Sequence, residues 1–304
     1  MGRASVTVVG FALADGSAAD TAGVASVTPV PDRFGRVLLA CVEPGELSPR
    51  GMELAAVALR TIRETFAATA GTSAEALAAA FAAANAAVMA QNRPLATGRW
   101  ERRISVGATA VALAGREIVV AQASPSQAIL VQDGQIYAFP DVASWRGDYR
   151  SDTPVGESHP LGFCDEQTPR LYHSEAAPGD LIVLCATSLG RALARDEQAI
   201  VDLYGGVLLT RDLEGSADRL ERLLTAHDVA DAFAIVASVS RLPGRSRLRL
   251  QPGLAPRVKK AMSSAVMASP SRTGMTPSAS SGSATASSAA ALARPWAGPW
   301  ALRA

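Results

Sequence analysis

Three histidines and three cysteines are the side chains of this 304-residue sequence best suited to metal or nucleophilic chemistry, and their spacing speaks against both. His159, His173 and His227 stand far apart, with none of the short intervals that zinc ligands keep, and Cys164 lacks a partner at C-x-x-C distance. His159 precedes Pro160 in a loop, His173 falls on a strand with a half-exposed surface role, and His227 ends a helix, where a cation suits the dipole. Cys41, Cys164 and Cys185 each lie in or beside an apolar segment and are odd in number, so reduced core thiols of a cytoplasmic protein are expected. There is no phosphate-cradling G-x-x-x-x-G-K-S/T or G-x-G-x-x-G stretch, and no G-x-S-x-G turn to present a nucleophile. Ser188 has no base to activate it, and a helix N-cap before Leu189 is the expected role.

The elements that would position any site come next. With 48% hydrophobic and 19% charged residues the chain is globular in composition, and 304 residues suffice for one large domain or two small ones. No run of 18 apolar residues points to a membrane span, and Met1-Gly2-Arg3 is not followed by the apolar stretch of a signal peptide. Short β-branched runs predict strands at Ser5–Phe11, Ala22–Val27 and Arg36–Val42. Two helices follow. Pro49–Thr69 carries Leu54, Val57, Ile62 and Phe66 near helical spacing, and alanine-rich Ser73–Met89 starts with Ser73 and Glu75 in its first turn. A meander then runs through Ile104–Leu113, Glu117–Ala123, Gln127–Gln132 and Gln135–Phe139, with Asp133-Gly134 as its strongest hairpin signal. A loop over Ser144–Gly162 leads to strands at Pro169–Ser174 and Asp180–Cys185. Helices at Leu189–Ala194, Glu197–Tyr204 and Ala217–His227 and a closing strand at Asp231–Ser238 complete an α+β order with helices covering sheet faces.

Charge divides the chain in two. Ten of the 29 basic residues and none of the 28 acidic ones lie from Arg241 onward, so an acidic body at 1–240 precedes a basic tail at 241–304. The tail is rich in Pro, Ser, Gly and Ala and too poor in large apolar residues to offset ordering entropy, so disorder is expected. Its Arg245-Ser246-Arg247-Leu248-Arg249 segment is either a solvated linker or a contact for an acidic surface, and Trp296 and Trp300 either dock or end the chain raggedly.

Several segments, taken together, resemble one family. Gly107-Ala108-Thr109-Ala110-Val111 is similar to a G-T-T-A strand. Val119 through Ser126-Gln127-Ala128-Ile129-Leu130 and then Asp133-Gly134 match V-A-N-V-G-D-S-R-A-Y-L and its hairpin. Pro160-Leu161-Gly162 and Ala177-Pro178-Gly179-Asp180-Leu181-Ile182-Val183-Leu184-Cys185 match an L-G segment and an L-x-P-G-D-x-L-L-L-C strand. These are frame motifs of the PPM-type, protein phosphatase 2C-like, metal-dependent serine/threonine phosphatases. The resemblance spans about residues 5–240 and implies a four-layer α-β-β-α sandwich with two divalent cations at one sheet edge.

At the positions where that resemblance places catalytic groups, the residues have changed. The R-x-x-N-E-D motif becomes Asp15 through Ala18-Ala19-Asp20: an acid replaces the phosphate-binding arginine, Ala19 replaces the glutamate, and only Asp20 persists. An acid there repels the dianion that an arginine would clamp. Counting back from Gly51 puts Glu43-Pro44 on the bridging D-G pair. The remaining aspartates become Pro125 and Thr187, and in the final D-N-x-T motif Asp231 stays while Ala232 and Ala234 replace Asn and Thr. Either Asp20, Glu43 and Asp231 converge to hold one cation, Mn2+ or Mg2+, or each is an exposed polar residue at a strand end. The resemblance thus implies a cytoplasmic pseudophosphatase that binds a protein, such as a phosphoprotein or a kinase-signalling component. Its alternative is a weakly active metal-dependent phosphatase.

Overall fold

Runs of β-branched and small apolar residues, joined by tight turns, build two antiparallel sheets whose central strands are buried along nearly their whole length. The computed structural model describes residues 5–14, 16–19, 23–28, 31–92, 103–139, 159–196, 198–199, 201–202, 205 and 213–241. Its strands are β1 (Ser5–Ala14), β2 (Ser17–Ala18), β3 (Ala25–Thr28), β4 (Arg36–Pro44), β5 (Val106–Ala114), β6 (Glu117–Ala123), β7 (Gln127–Gln132), β8 (Gln135–Phe139), β9 (Arg170–Glu175), β10 (Leu181–Cys185) and β11 (Ala232–Arg241). The helices are α1 (Pro49–Ala68), α2 (Ser73–Asn92), α3 (Thr187–Arg195) and α4 (Glu214–Ala226). One sheet runs β2-β1-β11-β10-β7-β8 and the other β3-β4-β5-β6-β9.

The sheets face each other through β10 and β11 against β3, β4 and β5, and through β7 against β5 and β6. On the outside, α1 and α2 cover the five-stranded sheet, while α3 and α4 cover the six-stranded one. This is the expected α-β-β-α sandwich. The tail at 242–304, most of the Ser144–Gly162 loop and half of the helix expected at Glu197–Tyr204 lie outside the described residues.

Local chemistry sets the helix ends. Ser48 caps α1 by accepting the Gly51 amide at 3.0 Å, and Pro49 stands at N1, where a missing N–H costs nothing. Leu54, Ala58, Ile62 and Phe66 form its buried stripe. The cap of α2 is Thr72, one residue earlier than the sequence reading placed it: its hydroxyl accepts the Glu75 amide at 3.2 Å, and the Glu75 carboxylate accepts the Thr72 amide at 2.9 Å. Ser73, by contrast, is buried. By length and composition α2 alone among the described helices could cross a bilayer, although it holds no continuous run of 18 apolar residues. In the fold Leu77, Phe81, Ala84 and Val88 are fully buried, and the helix packs on α1, β5 and β6.

The turns follow the same logic. Asp133 and Gly134 both take positive φ, 49° and 73°, which gives the β7–β8 hairpin the handed turn that matches strand twist. In the Pro178-Gly179-Asp180 turn, buried Asp180 accepts the Ala177 amide at 2.8 Å and the Gln132 amide group at 2.7 Å. Burial raises its carboxyl above the ordinary range. The Leu161–Gly162 segment bridges to Val106 and is tied to α2 by Asn85, which accepts the Gly162 amide at 2.8 Å.

Candidate functional site

The chemistry-bearing positions meet where β4, the β6–β7 turn and α3 come together. Glu43 is the penultimate residue of β4 and pairs with Gly107 of β5. Alternation puts it on the same strand face as Cys41 and Leu39. Its Oε2 accepts both the Thr187 amide, at 2.9 Å, and the Thr187 hydroxyl, at 2.8 Å. Thr187 is the first residue of α3, whose N-cap, Ala186, supplies no side-chain hydrogen bond. A carboxylate 144 positions away in sequence therefore caps this helix, with the favourable sign for its N-terminal dipole. The Thr187 hydroxyl also lies 3.3 Å from the Pro125 carbonyl. Glu43 and Pro125 thus converge on Thr187, which donates while they accept.

Pro44 follows, buried, opposite Val106. Beneath Glu43 the strand face continues with Thr109, which pairs with both Cys41 and Gln122. The Gln122 amide donates to the Ser126 carbonyl at 3.1 Å. Thr109, Gln122 and Ser126 form a buried layer of neutral oxygens that the sequence reading passed over, because isolated polar residues inside apolar strands carry no spacing signal.

The other candidates are placed as follows. Asp231 immediately precedes β11, and its carbonyl accepts the Ser188 hydroxyl at 2.7 Å. That overturns the N-cap expected of Ser188: it is the second helical residue, and its hydroxyl fastens α3 to the β11 entry instead. Ala232 and Ala234 are buried in β11 opposite Leu13 and Phe11, and Ala234 also faces Cys185. Ala19 is exposed, and its amide donates to the Ala12 carbonyl at 2.9 Å. Asp15 and Asp20 lie outside the described residues. Cys41, Cys164 and Cys185 are free thiols, the first and last buried.

Burial pushes the Glu43 carboxyl up to about 7, against the opposing pull of the Thr187 hydrogen bonds and the Arg191 charge. Folded protein therefore holds a proton across roughly pH 4.5–7 that the unfolded chain has released. Stability from this group is complete below that window and falls as pH rises through it. Glu43→Gln should flatten the slope and leave the protein about 2 kcal/mol more stable at pH 8 relative to wild type, with little difference at pH 4.5. Urea unfolding at both pH values measures this, and an unchanged slope would contradict it.

A two-cation centre needs several carboxylate oxygens free to face the ions. Glu43 has one oxygen engaged twice by Thr187, the Pro125 position offers only an engaged carbonyl, and the layer beneath is neutral. Among the described residues no group of three His, Cys, Asp or Glu is placed to hold a metal. These residues do not fit a pair of divalent cations.

No family model matches the chain, and no curated protein matches it. Solved structures do. The serine/threonine phosphatase PstP/Ppp of Mycobacterium tuberculosis superposes with a TM-score of 0.58 at 20% identity, over 78% of this chain and 99% of that one. The PstP catalytic domain in complex with two manganese ions gives 0.56 at 21% identity, over 78% and 100%. Serine/threonine phosphatase Stp1 of Staphylococcus aureus gives 0.60 at 13% identity, over 79% and 97%. The chain has the fold of the PPM-type serine/threonine phosphatases. Identities this low establish the architecture, and the site must be read from its own residues.

Proposed function

We propose that this chain is a pseudophosphatase: a phosphatase-fold domain that acts by binding another protein, a phosphoprotein or a kinase-signalling component, in a bacterial cytoplasm. The observation that carries the reading is the Glu43 carboxylate, held by the amide and hydroxyl of Thr187 where the resemblance would have it bridge two cations. Hydrolysis of a phosphate monoester has one of the highest uncatalysed barriers known, and the chemistry depends on positive charge at the phosphoryl oxygens. Here the corresponding positions carry Asp15, Pro125 and Thr187, none of which supplies it. Likeness to bacterial phosphatases supports the setting.

The purified full chain, given a phosphoserine peptide and an aryl phosphate with excess manganese, should show no turnover above a metal-free control. Robust manganese-dependent release of phosphate would overturn the reading. If Glu43→Ala and Asp231→Ala each abolished that release, the protein would instead be a weak phosphatase with a reduced site.

A further inference from the structure

A half-buried carboxylate between two sheets needs positive counterparts, and this one finds them within its own chain. The Thr187 amide belongs to the partly positive end of α3, the Thr187 hydroxyl points its proton at the same oxygen, and the charge of Arg191 acts from one turn further along. That hydroxyl stands 2.8 Å from Glu43 on β4 and 3.3 Å from the Pro125 carbonyl in the β6–β7 turn. One side chain on α3 therefore stands against both β4 and the turn that links the two sheets. The floor is closed as well. A Cβ on Gly107 would lie 2.5 Å from the Pro125 ring and 2.9 Å from the backbone nitrogens of Pro125 and Ser126.

We infer that Thr187 stands in for a cation as the counterpart of Glu43, so that the fold is metal-independent and a carboxylate at 187 would give this edge of the sandwich an affinity for divalent cations that threonine denies it. An aspartate at 187 would set its carboxylate where the hydroxyl now sits, against Glu43. Two such groups repel unless they share a proton or a cation. The same substitution that breaks the clasp would thus create an oxygen-ligand pair for a hard ion. The inference deepens the proposed function and rests on the same closed site, but it concerns stability in the absence of substrate. A domain that captured no protein partner would sink that function without touching this inference, whereas manganese-dependent turnover would sink both.

The test is thermal unfolding of the full chain at pH 8, with manganese at about 1 mM and with EDTA. Wild-type Tm should differ by no more than about 1 °C between the two conditions. Thr187→Val keeps the amide bond and volume but loses the hydroxyl, and should melt about 3–6 °C lower, whereas Thr187→Ser should melt near wild type. Thr187→Asp should melt lower than Thr187→Val in EDTA and recover by about 5 °C or more in manganese. A wild-type Tm raised several degrees by manganese would overturn the inference. So would a Thr187→Val protein as stable as wild type, or a folded Thr187→Asp protein indifferent to manganese. If Thr187→Asp does not fold, the wild-type and valine measurements decide.

Discussion

Alanine at position 107 should cost about 3 kcal/mol and lower Tm by roughly 6–12 °C. The added methyl would stand 2.5 Å from the Pro125 Cδ and 2.9 Å from two backbone nitrogens, and none of these is the loose end of a side chain. Relief requires the 124–126 turn to move away from β5. That turn carries the carbonyl close to the Thr187 hydroxyl, and Gly107 is itself the register partner of Glu43, so the clasp would loosen with it. Gly23→Ala is the control. Its Cβ would meet only the Met52 terminal methyl, at 3.9 Å, and a change within about 1 kcal/mol is expected. Thermal melts of both proteins check this. A Gly107→Ala protein melting within about 2 °C of wild type would mean that the turn yields easily, and the closed floor would have to be abandoned.

The second large effect lies at the other end of β4. Arg36, only 2% exposed, bonds through Nε to Asp32 at 2.9 Å and through one Nη to the Phe66 and Thr69 carbonyls, both at 2.9 Å. Its guanidinium is sandwiched between Phe34 and Phe66, 4.6 and 4.4 Å from the ring centroids. The last turn of α1 contains no basic residue of its own, so this arginine, with Arg33 on the Ala68 carbonyl, serves its orphan acceptors. Arg36→Ala strands a nearly buried Asp32, unpairs two carbonyls and empties the space between two rings. A loss of about 3–5 kcal/mol in urea unfolding is expected. Adding Asp32→Asn to an Arg36→Met background should recover a large part of the loss, because the cost lies mostly in the unpaired charge. A single Arg36→Ala variant within about 1 kcal/mol of wild type would contradict the network.

These two effects bracket the protein's character. The distal end of β4 is stabilised by a true ion pair, whereas at the proximal end an amide, a hydroxyl and a helix dipole do the same work for Glu43. The positions where the resemblance places metal ligands thus take part in the fold's own bonding. That is why thermal stability, rather than activity alone, is the informative readout there.

Most of the frame was legible in the sequence because its signals are local. Runs of β-branched and small apolar residues marked strands such as β4, and Asp133-Gly134 marked the hairpin that joins β7 to β8. Each depends on residues close together in the chain, where short-range sterics and hydrogen bonding decide the outcome. Helix caps slipped by one or two positions: at α2 Thr72 rather than its neighbour Ser73 takes the role, and at α3 the N-cap is Ala186 while the distant Glu43 supplies the acceptor.

The site was legible only as a set of substitutions. The resemblance implied a carboxyl retained at Glu43 and replaced at Pro125 and Thr187. It left open whether Glu43 was a ligand or an exposed strand end; in the fold the residue is half-buried and bonded to Thr187. Glu43 and Thr187 are separated by 144 positions and lie on different layers, so no spacing rule connects them. What the tertiary structure alone decided is that burial between two sheets forces that carboxyl to find partners, and that the nearest donors are the first amide and hydroxyl of α3. Desolvation is a property of the packed sandwich, and no window of the sequence contains it.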